Sequence, residues 1–134
     1  MRLSIFGAAF MLICVVALVP VHADQPFIKD FGCYKDSAWQ AHCRVVIGIA
    51  GLNGPTAVNV VMTEYVDGRV WNSHTFAYVT NTWAYTAIDT FGLNGLSLGE
   101  HQIYAIANVQ MNSGIPSPPI LLSGQSPTTT ISVG

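Results

Sequence analysis

Apolar residues in most of this chain recur at every second position, in short runs cut by polar turns, and a period of two predicts strands. The clearest run is Ala57 to Val66, where Val58, Val60, Met62 and Val66 share one face and Asn59, Thr63 and Tyr65 the other. Asp67-Gly68 follows as a hairpin signal, because a type I′ turn needs positive φ at both central positions. A return strand runs from Arg69 into Trp71, and a further one covers Thr75 to Thr80. In Thr82 to Thr90, Trp83, Tyr85 and Ala87 alternate with Thr82, Ala84 and Thr86. Gly99 opens the strand Glu100 to Gln110, which sets His101, Ile103, Ala105 and Ala107 against Tyr104 and Ile106. Upstream, Val45, Ile47 and Ile49 mark a strand over Arg44 to Ala50, and Phe27 and Ile28 mark a first one. Ile115 to Ser123 reads as a last strand, at a sheet edge because Pro116, Pro118 and Pro119 each remove a ladder donor. About seven or eight strands with no helix between them predict an all-β antiparallel sandwich.

The first 23 residues break this pattern. Arg2 precedes an almost unbroken apolar run from Leu3 to Val19, then Pro20 and the triplet Val21-His22-Ala23. That order predicts a signal peptide over 1–23, a β-sandwich domain over 24–123 and a polar C-terminal tail over 124–134. An uncleaved anchor or a lipid attached at Cys14 are the other readings. Cleavage suits Pro20 and the triplet better, and Ile13 stands where a lipid site wants a small residue. The expectation is a secreted or periplasmic protein with no membrane insertion once the leader is removed.

Charge narrows the partners. Only 9% of residues are charged, and beyond the leader Lys29, Lys35, Arg44 and Arg69 face a larger number of acids with no basic cluster. Such a surface does not offer the cations that nucleic acid or an anionic membrane requires. Cys33 and Cys43 remain as an even pair, most simply a disulfide after export. Their spacing is wrong for a CxxC redox or zinc motif, and the segment between them reads as a stapled loop with a helical turn at Asp36 to Gln40.

The stretch LSLGEHQIYAIANVQMNSGIPSPPILL, Leu96 to Leu122, resembles the last two strands of immunoglobulin-like and fibronectin type III-like modules of bacterial surface and secreted proteins. Leu96, Gly99, His101, Ile103, Ala105 and Ala107 carry the pattern, with Asn112 and Gly114 in the turn. The resemblance implies an immunoglobulin-like sandwich. It gives structural roles to Gly99, to Trp83 on the preceding strand and to His101, which stands where related sandwiches put a corner tyrosine. The fold alone implies no particular task.

Catalytic signatures are thin: no Gly-x-Ser-x-Gly elbow, His-Glu-x-x-His or phosphate loop occurs. Ser73, His74 and Asp89 could compose a hydrolase, but neighbouring residues on a strand point to opposite faces. Glu64 and Asp67 could form a glycosidase-type pair, although two acids flanking a hairpin turn read first as solvated. His42, His74 and His101 lie on different segments, so no metal, cofactor or catalytic residue is expected. Aromatics are the better lead. Tyr65, Trp71, Tyr104 and Ile106 are the expected contacts for a partner, since apolar groups on an outward sheet face imply a cover. The expected function is a secreted, non-enzymatic module that binds a protein or glycan at a cell surface or envelope, with self-association also open. The alternatives are an accessory subunit of an envelope assembly and, behind it, a small secreted hydrolase.

Overall fold

A computed structural model describes residues 26–49, 55–80, 83–112 and 118–134. The expected leader, and the expected turns at 52–54, 81 and 113–114, lie outside those residues. The alternating segments form eight strands: β1 (Phe27–Ser37), β2 (Gln40–Gly48), β3 (Thr56–Val66), β4 (Arg69–Thr80), β5 (Ala84–Gly92), β6 (Gly99–Asn112), β7 (Ile120–Gln125) and β8 (Thr129–Val133). They make two antiparallel sheets, a smaller one in the order β1-β2-β5 and a larger one in the order β4-β3-β6-β7, with β8 also on β6. The fold is an all-β sandwich. Among the described residues no helix is long and apolar enough to cross a membrane.

The core is made by the inward positions that the alternation assigns. Val58, Val60 and Met62 of β3 and Ile103, Ala105, Ala107, Val109 and Met111 of β6 meet Val45 and Ile47 of β2 and Ala87 and Phe91 of β5. Each large side chain removed from water contributes about 1.5–3 kcal/mol. The small residues Ala105 and Ala107 lie at the middle of β6, directly in the gap between the sheets. At the β3–β4 hairpin both Asp67 (φ 52°) and Gly68 (φ 81°) are left-handed, as a type I′ turn requires.

Three expectations need correction. The segment from Cys33 to Cys43 is no loop with a helical turn but a hairpin of β1 and β2. Cys33 lies opposite Cys43 in register, with the disulfide closing a Cα–Cα distance of 4.0 Å inside one sheet. The two strands expected over 69–71 and 75–80 are one continuous β4. The polar tail expected over 124–134 is part of the sheet, because β7 runs to Gln125 and β8 pairs with the other half of β6. Between them Ser126 stands in for a ladder residue: its N–H donates to the Ala105 carbonyl at 2.9 Å and its Oγ accepts from Ala105 N–H at 2.8 Å. Ile131 and Val133 are buried, so two apolar positions two residues apart hold a stretch whose overall polarity suggested a free end.

Candidate functional site

Polar chemistry concentrates in two places, one between the sheets and one on the outer face of the larger sheet.

Inside, Glu64 of β3 is wholly buried and Asp89 of β5 is 2% exposed. Asn72 of β4 lies in register with Glu64. Its side-chain amide donates to Glu64 Oε1 at 2.9 Å and to Asp89 Oδ2 at 3.1 Å, tying the two sheets together. His74 stands at the rim, its Nδ1 3.4 Å from Asp89 Oδ1, its ring stacked on Phe76. Glu64 Oε2 is buried without a hydrogen-bond partner. Burial pushes the Glu64 carboxyl up to about 8, helped by the hydrogen bond and negative charge of Asp89 and opposed by Asn72. The Glu64 carboxyl is therefore mostly protonated at neutral pH.

This corrects the reading of Glu64 as a solvated partner of Asp67. Glu64 belongs with Asp89, and the pair was visible in the alternation. Glu64 falls between the inward Met62 and Val66, and Asp89 between the inward Ala87 and Phe91. Neither carboxyl presents surface to a substrate. Ser73 points to the opposite side of β4 from His74 and meets Thr63 Oγ1 at 3.3 Å, so Ser73, His74 and Asp89 do not assemble.

Asp67 serves another partner. Its Oδ2 accepts from His101 Nδ1 at 2.6 Å, its Oδ1 accepts from the Gln102 N–H at 3.0 Å, and His101 Nε2 donates to the Ser97 carbonyl at 2.7 Å. Both ring nitrogens of His101 therefore face acceptors, which makes the imidazolium the fitting form. Its pKa is raised, first by Asp67 and then by Ser97, while the Gln102 N–H and His101 lower that of Asp67. His101 is 8% exposed, and Gly99 just before it has φ 112°, a conformation that other residues rarely take.

Outside, the larger sheet presents Ala57, Asn59, Val61, Thr63 and Tyr65 from β3 beside Asn112, Gln110, Asn108, Ile106 and Tyr104 from β6. Leu121, Ser123 and Gln125 of β7 extend that face on one side, and Ser73, Thr75, Ala77 and Val79 of β4 on the other. None of these side chains is charged. Further along β6 the same face carries Glu100, opposite Ser132. Tyr65 and Tyr104 lie in register and stack at 4.9 Å with planes 7° apart, and both are half-buried, as is Ile106. Beyond them a groove of about 330 Å³ is lined by Asn59, Val61, Asn108, Gln110, Leu121 and Ser123. Ser123 Oγ donates to Asn108 Oδ1 at 2.9 Å.

The expected contacts thus divide. Tyr65, Tyr104 and Ile106 share the outer face, but Trp71 does not join them. The β3–β4 register shifts between Glu64 and Tyr65, whose partners are Asn72 and Val70, leaving Trp71 as the extra residue of a β-bulge. Trp71 packs against the core, and its indole N–H donates to the Gly92 carbonyl of the facing sheet at 2.8 Å. Trp83, expected as a structural aromatic, is 80% exposed; its backbone carbonyl accepts from Ile49 N–H at 2.8 Å. His42 bridges Thr90 and Asp36 at 2.6 and 2.7 Å. Among the described residues no group of three or more His, Cys, Asp or Glu could hold a metal ion. The outward amides were missed because each is unremarkable alone; their common face appears only with the register. No protein-family model, curated protein or solved structure matches this chain.

Proposed function

We propose that this chain is an exported, non-catalytic binding module, and that the outer face of its larger sheet is the surface that meets the partner. The observation that carries the reading is that face itself: a broad, regular surface of tyrosine, amide, hydroxyl and aliphatic groups with no charged side chain from Tyr65 to Asn112. A sheet face that serves only to contact water normally mixes charged residues with its polar ones, and exposed apolar groups in contiguous patches mark docking sites. The leader-like residues 1–23 and the Cys33–Cys43 disulfide support export to an oxidising compartment, extracellular or periplasmic.

The module belongs, on this reading, with the immunoglobulin-like and fibronectin type III-like sandwiches. Its strand orders, β1-β2-β5 against β4-β3-β6-β7, are those of an immunoglobulin sandwich with the fourth strand moved to the facing sheet. His101 near the start of β6 supports it too, bonding back to Ser97 as a corner residue does. The test is a glycan array run beside a pull-down from envelope extract, with wild type and the Tyr65→Ser/Tyr104→Ser double variant. Binding by wild type that the double variant loses, with its circular dichroism unchanged, is the expected result. Equal binding by both proteins would remove the outer face from the account.

A second reading has its own support. Strand β4 ends the larger sheet and runs over Arg69–Thr80 with one Arg as its only formal charge and no proline. Long edges of that kind are templates for strand addition, which would suit an accessory subunit of an envelope assembly. Thr75→Pro, near the middle of β4, would abolish assembly on that reading, whereas Tyr65→Ser/Tyr104→Ser would leave assembly intact.

A further inference from the structure

We infer that the ligand of the outer face is a neutral oligosaccharide, lying across the groove between Asn59 and Ser123; this rests on the reading of that face as the binding surface. The first argument is charge. Anionic ligands are held by Arg and Lys and cationic ones by carboxylates, and the groove and the rungs beside it carry neither. A sulfated or uronic acid chain, a nucleic acid or a basic peptide would leave its charges unpaired against this surface. A neutral ligand would not.

The second argument is hydrogen-bond chemistry. Side-chain amides each donate and accept, and so do sugar hydroxyls, so either orientation of a hydroxyl finds a partner at Asn59, Asn108 or Gln110. A flat protein surface would bury the same amides against groups that cannot all answer them, at about 1–3 kcal/mol for each one left unmatched. The centres of protein interfaces favour Tyr, Trp, Met and Arg, none of which lines this groove, where Asn59, Asn108 and Gln110 stand among the aliphatic side chains of Val61, Val109, Leu121 and Leu122.

The third argument is shape. The groove, about 330 Å³, falls at the lower end of small-ligand sites of about 300–1,000 Å³, and the sheet face on which it lies runs on through the Thr63–Ile106 rung to the Tyr65–Tyr104 stack. Outward residues on one strand recur about every 6.8 Å, so the face is a track of repeated rungs that suits a chain of sugars better than a single one. Aliphatic and aromatic groups along the track match the C–H faces of pyranose rings.

The experiment uses the protein recovered after export, on an array of neutral glucans, mannans, galactans and chitooligosaccharides beside sialylated, sulfated and uronic acid glycans. Retained neutral glycans are then titrated by calorimetry against wild type and the Asn108→Ala/Gln110→Ala double variant. The inference expects retention confined to neutral chains, an affinity insensitive to salt, and a loss of about tenfold or more in the double variant, as expected for two hydrogen bonds. Retention confined to charged glycans, or an empty array, overturns it. A protein captured from envelope extract in a Tyr104-dependent way, with the array empty, overturns the sugar and keeps the face. Self-association that Tyr104→Ser abolishes gives the face to a second copy instead. Neutral-glycan binding unaffected by any outer-face variant overturns both the inference and the reading it rests on.

Discussion

Strand β3 carries both polar regions of the molecule on alternate residues. Glu64 points inward to Asp89 and Asn72, and its neighbours Thr63 and Tyr65 point outward to the uncharged face. The two regions differ in kind. The inner cluster is small, ionisable and shut away from solvent, and Asn72 links its carboxyls across the gap between the sheets. The outer region is broad, neutral and open, with hydrogen bonds such as Ser123 to Asn108 and Thr63 to Ser73 made within the face itself. A buried acid pair draws attention as chemistry, yet here its enclosure suits a device that fixes how the sheets pack, while the plainer surface is the one we propose to bind.

The sharpest way to break that division is at Asn72. Asn72→Leu leaves two buried carboxyl groups without their shared donor and should cost about 1–3 kcal/mol of stability, read by urea denaturation, with ligand binding at the outer face intact. A variant that stayed as stable as wild type would show that the cluster does not hold the sheets.

Protonation gives the next effect. Glu64 titrates higher in the folded protein than its ordinary 4.5, at about 8, so the folded state holds a proton that the unfolded chain has released across that interval. Stability from this group is complete below pH 4.5 and declines as pH rises to about 8. His101, raised above 6.5, adds a decline as pH rises through its folded value. Asp67, lowered from 3.8, loses its contribution as pH falls through its folded value. Melting temperature should therefore peak in mildly acid solution and fall towards alkaline pH. Glu64→Gln, which keeps the neutral form, should flatten the decline between 4.5 and 8, and His101→Gln should remove the part that starts near 6.5. A Glu64→Gln profile parallel to wild type would mean that the pair is ionised throughout.

Smaller still is the effect on the outer face. Tyr104→Ser breaks a stacked pair worth about 0.5–1.5 kcal/mol beyond the area it buries and should lower the melting temperature by a few degrees without loss of fold. Global unfolding would put Tyr104 in the core and join the two regions into one.

Much of this was legible in the sequence because a period of two assigns every residue a face. The inward runs of β3 and β6, the Asp67-Gly68 turn and the outward pair Tyr104 and Ile106 all follow from counting. The same counting puts Glu64 in the core, against the rule that an acid beside a hairpin turn is solvated, and position outweighs type. What could not be counted is pairing. The bulge that turns Trp71 inward depends on the partner strand, and the polar stretch after Ser123 is ordered by Ser126 bonding to Ala105, far away in sequence. Asn59, Asn108 and Gln110 become a common surface only once β3 and β6 are set side by side.

The most direct test of the division is a backbone amide NMR titration of the protein with the neutral oligosaccharide best retained on the array. The account predicts shift changes at Asn59, Val61, Asn108, Gln110 and Ser123 that extend along the face to Tyr65 and Tyr104, with the signals of Asn72, His74 and Asp89 unmoved. Changes centred on Asn72, His74 and Asp89, with the outer face silent, would contradict it and make the buried carboxyl pair the binding site.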